Sequence, residues 1–269
     1  DKSIRAWPAG PRRALKRLSR ALSPANAVVR FIQARQFACP GRVVCVSHLV
    51  RDWMAASFAV LAQKDMDVVY NQPDLVRFAP PTGQERAAAR EAQGLAPGDF
   101  AVSLAGTNFM LKGVGTAIAA LPLLPANVRL LVAGGRNPAA FQRQAEALGV
   151  AGRVRFLGKV TDMPGLYHAS DLFVLPTFYD TCANAVLEAR ACTVSAVTTA
   201  DNGAAHFLPP HRILRDPADH RTLAALILAA MNEGEAARQP FAWPPDVAVG
   251  VEPYVRMVEE LLNAPGGSL

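Results

Sequence analysis

DLFVLPTFYDTCANAVLEARAC, residues 171–192, decides how this chain is read. Four apolar residues, Leu172 to Leu175, form a strand-like run that stops at Pro176. A polar turn, Thr177 to Thr181, then leads into an Ala/Val/Leu-rich stretch of helical character. A strand that feeds straight into a helix is half of a βαβ unit. Two acids interrupt the pattern. Asp180 stands just ahead of the helix, and Glu188 sits eight residues later inside it. Eight residues at a rise of ~1.5 Å each separate them by about 12 Å, and the angular remainder of about 80° keeps them on neighbouring faces.

Working outward, the same alternation repeats. Short β-rich runs, RVVCVS, DVVYN, FAVSLAG, VRLLVAGG, VRFLG, DLFVLP and SAVTT, end in turn residues. Helical stretches at 48–60, 82–93, 112–121, 138–148, 163–169, 183–192, 217–233 and 253–263 lie between or after them. This spacing predicts an α/β fold with a doubly wound, mostly parallel sheet. The segment FAPPTGQERAAAREAQGLAPGDF (78–100), with its Pro-Pro and Pro-Gly turns, marks the domain boundary. Residues 98–250 carry enough alternations for one complete domain, 251–269 a terminal helix, and 1–95 only two convincing strands. Two strands do not make a stable parallel domain by themselves.

In such sheets ligands bind at the carboxyl ends of strands, where helix N-termini offer free N–H groups to anions. Three strand ends carry suggestive residues. After Gly106, the turn containing Asn108 delivers Lys112 to the mouth of a helix, where an ammonium can neutralise phosphate. After Pro176, Thr181 can cap a helix whose first N–H groups, on Cys182, Ala183 and Asn184, would grip a phosphate. The 12 Å between Asp180 and Glu188 is about the length of a sugar–diphosphate–ribose unit. After Thr199, an Asn202-Gly203 turn forms a third possible phosphate-side loop.

Composition narrows the class. The 269 residues are 51% hydrophobic, ample for a core, with no apolar run near the roughly 18 residues of a membrane span. No apolar h-region follows the first residues, and the chain starts at Asp1, so its start is expected to have been trimmed or lost. Cys39, Cys45, Cys182 and Cys192 show neither C-x-x-C pairing nor metal-ligand spacing and read as reduced thiols of a cytosolic protein. Of the net charge of +6, residues 1–40 hold about +8, nine Lys/Arg against one acid. In PRRALKRLSRALS (11–23), Leu15, Leu18 and Leu22 recur at helical spacing among basic residues. Such a helix is either an ordinary packed helix with a solvated basic face or one that meets an anionic membrane surface or a phosphorylated acceptor. Nucleic acid is not expected, for no zinc-finger or RNA-binding signature occurs.

Residues 152–206, with the acid-x7-Glu motif after DLFVLP, resemble the donor-binding half of a family 4 GT-B glycosyltransferase, nearest to the bacterial lipopolysaccharide core glucosyltransferases. DVVYNQPDLVRFAPP, NFMLKGV and EPYVRMVEELL are similar to that family's pre-linker strand, phosphate loop and terminal helix, which crosses back onto the amino domain. The resemblance implies a GT-B fold and a retaining transfer of a hexose from a nucleotide sugar of the UDP-glucose type to a lipopolysaccharide or cell-envelope glycan. It implies no metal and no cofactor, and a place in the cytoplasm, peripheral on the inner face of the membrane. Asp180 would touch donor-sugar hydroxyls and Glu188 the ribose. Lys112 and the helix start at Cys182–Asn184 would stabilise the diphosphate, and Lys159 and Val160 would lie beside the base.

The chain also departs from the family. Met110 and Leu111 stand where an arginine precedes the lysine, and Asp180 replaces the usual Glu. Thr193-Val194-Ser195 replaces Gly-Leu-Pro, His206 replaces an acid, and NQPD (71–74) replaces NGVD. Family members carry a longer front part with the acceptor pocket. A catalytically silent protein that binds nucleotide sugars is therefore the alternative expectation.

Overall fold

The computed structural model describes Ala14, Leu18, Ser19 and residues 22–263, except Pro40, Arg136, Pro245 and Asp246. The basic helix expected at 11–23 falls mostly outside these residues. The architecture is α/β, as the sequence predicts. Strands β1 (Val43–Cys45) and β2 (Met66–Val68) form a two-stranded parallel sheet. Strands β3 (Phe100–Ala105), β4 (Val128–Ala133), β5 (Val154–Gly158), β6 (Leu172–Leu175), β7 (Ser195–Thr199) and β8 (Ile213–Leu214) form a second sheet in the order β5-β4-β3-β6-β7-β8, parallel throughout.

The apolar runs explain the second sheet. FAVSLA, VRLLVA and LFVL have almost no alternation because both of their faces are covered, and every residue of β6 and β7 is buried. Helices α5 (Val114–Ala120), α6 (Ala139–Ala147), α7 (Met163–Ala169), α8 (Asn184–Ala191) and α9 (His220–Glu233) supply the cover. Capping sets several starts. The Asp162 carboxylate accepts from the Gly165 N–H ahead of α7, and the Asp219 carboxylate accepts from the Arg221 and Thr222 N–H groups ahead of α9.

The front of the chain is built otherwise. Helices α1 (Pro24–Ala38), α2 (His48–Ser57) and α3 (Ala59–Ala62) accompany the small sheet, and α1 has no buried residue. Helix α4 (Gly83–Ala92) opens with a capping box in which Thr82 and Glu85 satisfy each other's backbone. Sequence grouped this helix with the first 95 residues, but it packs on α7 of the second sheet. Asp171 holds it there. Its carboxylate accepts from Arg86 at 2.5 Å, from Arg90 at 2.9 Å and from the Ala101 N–H at 2.7 Å. The terminal helix α10 (Glu252–Asn263) reaches the small sheet, since Arg42 of that sheet's entrance bonds Glu260 at 2.5 Å and Asp67 at 3.0 Å. Just ahead of α10, Tyr70 and Val249 pair as an isolated parallel bridge. Among the described residues no helix is long and apolar enough to cross a membrane.

Candidate functional site

The strand order reverses direction between β3 and β6: the chain runs from β3 outward to β5, then returns to β6 and runs the other way. At such a switch point the two following loops part and leave a crevice at the carboxyl ends of the strands. Lys112 follows β3 and Asp180 follows β6. Their side chains meet there, Lys112 Nζ donating to Asp180 Oδ2 at 2.5 Å, with only 19% and 14% of the two side chains exposed. The two groups expected from sequence to act on the donor sugar and its diphosphate thus form one ion pair on the seam of the sheet.

Beside this pair lies a cleft of about 600 Å³ lined by Ala105, Gly106, Thr107, Gly134, Gly135, Lys159, Val160 and Met163 among others. Its wall is mostly backbone and aliphatic carbon, suited to a flat heterocycle, and its size suits a nucleotide-scale ligand. Gly106 is required where it stands. A Cβ there would lie 2.6 Å from Lys112 Cγ, so the lysine stem crosses the strand end only because residue 106 has no side chain. Asn108 stays inside its own turn. Its side-chain oxygen accepts from the Leu111 N–H at 3.1 Å, and its carbonyl accepts from the Lys112 N–H at 2.9 Å. It shapes the turn that carries Lys112.

Glu188 is half-buried on α8, and the buried Tyr167 of α7 donates its hydroxyl to Glu188 Oε2 at 2.9 Å. Burial pushes the Glu188 carboxyl above its ordinary range, opposed by the Tyr167 hydrogen bond and by the charge of Arg77. The Tyr167 hydroxyl is driven well up by burial, with the charge of Glu188 adding to it. Glu188 is therefore no solvated helix residue but a carboxylate held by an oriented phenol.

Three expectations need correction. Thr181 does not cap α8: the helix starts at Asn184, Ala183 takes the cap position without a side-chain bond, and Thr181 is exposed. The turn TFYDT is longer than a minimal strand-to-helix link, so Thr181 stops short of the helix end. The Ala183 N–H is not free for a phosphate either, because the Asn202 side-chain oxygen accepts it at 3.0 Å. That same oxygen accepts the Ala204 N–H at 3.1 Å. Gly203 is a packing residue rather than part of a phosphate loop. Its N–H donates to the Asp180 carbonyl at 3.1 Å, and a Cβ there would strike the Thr181 carbonyl at 2.0 Å. Cys182 is buried, with its thiol pushed up to about 12 by burial and by Asp180, so it stays protonated.

Asn202 is the residue whose role sequence reasoning missed. Beyond the turn and possible phosphate-side loop expected of Asn202-Gly203, it ties the loop after β7 to the start of α8, its side-chain oxygen accepting the Ala183 N–H and its amide nitrogen donating to the Thr198 hydroxyl at 2.9 Å. Its place in the turn that follows strand β7, beside a glycine, is the available signal.

The front of the chain touches the site from the other side. Ser47 donates to the Thr181 carbonyl at 2.6 Å, Asn71 donates to the Asn184 side chain at 3.0 Å, and Trp53 stacks on Tyr179 at 4.6 Å between ring centroids. His206, which stands where the resembled family has an acid, is exposed and lies 5.0 Å from the His48 ring and 5.6 Å from the Tyr70 ring. Among the described residues no cluster of His, Cys, Asp and Glu could hold a metal ion.

Comparison with known proteins agrees with this geometry. Residues 101–233 match the family described as "Glycosyl transferases group 1". The D-inositol 3-phosphate glycosyltransferase of Mycobacterium ulcerans is 34% identical over 146 residues, 51% of this chain and 31% of that protein. The chain thus spans less than a third of the length of this curated relative. Among solved structures, Anabaena Alr3699/HepE in complex with UDP-glucose superposes with a TM-score of 0.70 at 20% identity, over 91% of this chain and 69% of that one. WaaG, a glycosyltransferase involved in lipopolysaccharide biosynthesis, superposes with a TM-score of 0.63 at 24% identity, over 72% of this chain and 54% of that one. At these identities the structures speak for the fold. The switch-point crevice, the match of residues 101–233 to the group 1 glycosyltransferases and the architecture shared with solved glycosyltransferases agree, and the larger sheet with its helices has a glycosyltransferase fold of the GT-B type.

Proposed function

We propose that the chain forms the donor side of a retaining hexosyltransferase that uses a nucleotide sugar of the UDP-glucose type. The observation that carries the reading is the Lys112–Asp180 pair at the switch point, beside a cleft of nucleotide size. The base would enter the cleft between Gly106 and Val160, and the ribose hydroxyls would bond Glu188. The diphosphate would draw Lys112 away from Asp180, freeing that carboxylate for the hydroxyls of the sugar. Catalysis in such a site comes from positioning and from stabilising the departing diphosphate, and the lysine charge performs the second task. In this reading residues 98–250 form the nucleotide-sugar domain, 1–95 belong to the acceptor side, and 251–269 return to it.

The acceptor in this proposal is a lipopolysaccharide or another cell-envelope glycan, reached at the inner face of the cytoplasmic membrane, with the basic segment 11–23 as the contact to anionic lipid. A silent nucleotide-sugar-binding protein is the second reading, favoured by His206 in place of the acid and by Met110-Leu111 ahead of Lys112. Calorimetry with UDP and UDP-glucose, followed by assays of hydrolysis and transfer, separates the two. Binding that weakens in Lys112→Ala and Glu188→Ala, together with turnover, supports the enzyme. Binding without turnover supports the silent protein. UDP and UDP-glucose binding that neither substitution changes removes the donor-site reading.

A further inference from the structure

A second pocket, of about 190 Å³, opens at the other end of the sheet. Ser195, the first residue of β7, lines it, whereas the crevice of Lys112 and Asp180 lies at the carboxyl ends of the strands. Arg190 from the last turn of α8, Arg212 ahead of β8, His211, Glu233 and Gln239 complete its polar lining. We propose that this pocket binds a small oxyanion of the phosphate class, inorganic phosphate or a short phosphate monoester, independently of the donor site.

Charge and unmet hydrogen bonding both point to such a ligand. Two guanidiniums and an imidazole line a space that holds one acid, and that acid is already engaged, Arg212 donating to Glu233 at 2.5 Å. Arg190 is poorly served by protein. Its Nη1 reaches the Val194 carbonyl only at 3.5 Å, its Nε has no acceptor, and its guanidinium rests 6.0 Å from the Phe241 ring. Burial and the nearby Arg212 both pull the Arg190 guanidinium below its ordinary range, which is the signature of a cation lacking a counter-charge.

The surroundings show the same shortage. Among the described residues the buried side-chain atoms without a partner are Arg190 Nε, Arg238 Nη2 and Trp243 Nε1, and all three are donors. Arg238 directly precedes Gln239 of the pocket, and Trp243 packs 4.8 Å from Phe241. A region rich in buried donors and poor in acceptors is completed by an oxyanion, which only accepts. The volume admits a phosphate or a short monoester and is too small for a nucleotide. The lining residues take no part in the donor reading, so the two proposals stand or fall separately.

Calorimetric titration of the full chain with inorganic phosphate, and in parallel with glycerol phosphate, tests the site. Millimolar or tighter binding is expected in the unmodified chain and unchanged in Lys112→Ala, which removes the cation of the donor crevice. Arg190→Gln, which removes the charge and leaves a shorter polar side chain, should weaken binding on the order of tenfold or more. His211→Glu, at an exposed position, should do the same without disturbing the core and decides the matter if Arg190→Gln fails to fold. The tighter of the two ligands shows which source the pocket prefers. Absence of phosphate binding, or binding that disappears in Lys112→Ala and persists in both pocket variants, overturns the proposal.

Discussion

Strands β3, β4, β6 and β7 bury Leu104, Val132, Phe173 and Val197 completely, whereas the three-residue strands β1 and β2 bury only Cys45 between them. Both sheets are parallel, and a parallel sheet is stable when helices cover both of its faces. The larger sheet meets that condition within its own sequence. The smaller one is held to its neighbour by a few polar contacts, notably Ser47 to Thr181, Tyr70 to Ala248 and Arg42 to Glu260, and by the buried Tyr70 ring, which packs against Phe207. Around it Val28, Val29, Phe31 and Ile32 of α1, and Val255, Val258 and Leu262 of α10, leave apolar surface in solvent. The rigid part of the candidate site therefore rests on the closed sheet, while Trp53, Asn71 and His48 approach it from a part that depends on docking.

The largest effect expected from this contrast is at Asp171, which anchors α4 to the closed domain. Asp171→Ala leaves two little-exposed guanidiniums facing each other and should cost about 3–5 kcal/mol in urea unfolding. A loss below about 1 kcal/mol would show that α4 belongs with the open front after all. Lys112→Ala comes next. Losing one charge-assisted contact of about 1.5–3 kcal/mol should weaken UDP-glucose binding roughly 10- to 100-fold in calorimetry, with the closed domain still folded.

Thr193 sharpens the comparison from within the closed domain. It is the one described non-glycine residue with positive φ, at 61°, and it stands where the resembled family has glycine. The left-handed conformation costs a side-chain-bearing residue about 1–2 kcal/mol, and glycine gives back roughly 0.5–1 kcal/mol in the unfolded chain. Thr193→Gly should accordingly raise stability by about 1 kcal/mol, read as a higher urea midpoint.

Glu188 gives a pH-dependent effect. Its carboxyl takes up a proton more readily folded than unfolded, so its contribution to stability is present at acid pH and lost as pH rises through the raised value. Glu188→Gln removes that loss. The variant should gain stability relative to the unmodified chain as pH rises above the ordinary Glu value of about 4.3, while binding donor less tightly. A constant difference across that range would contradict the half-buried carboxylate. The smallest effect belongs to the open side. Val258→Lys should change stability by no more than about 0.5 kcal/mol, because the side chain is already exposed. A large loss there would mean that α10 is packed in solution.

Much of the closed domain was legible in the sequence because its strands are buried on both faces and so appear as unbroken apolar runs. Helix α4 was legible as a helix from Thr82 and Glu85, but its allegiance was not, since Asp171 lies about eighty residues away. Helix α1 is not legible in the sequence, because its apolar residues, Val28, Val29, Phe31 and Ile32 among them, are not set off as one face against a polar one.

Local pattern determined the βαβ alternation, the places where strands end, and the eight-residue separation of Asp180 and Glu188. These depend on residues near one another, whose backbone geometry carries the information. Tertiary structure alone decided that Lys112 and Asp180 join across the switch point, that Asn202 rather than Thr181 secures the start of α8, and that Tyr167 orients Glu188. Those outcomes depend on which strands become neighbours, and strand order is set by how helices cover the two faces of the sheet, a property that no short stretch of the chain contains.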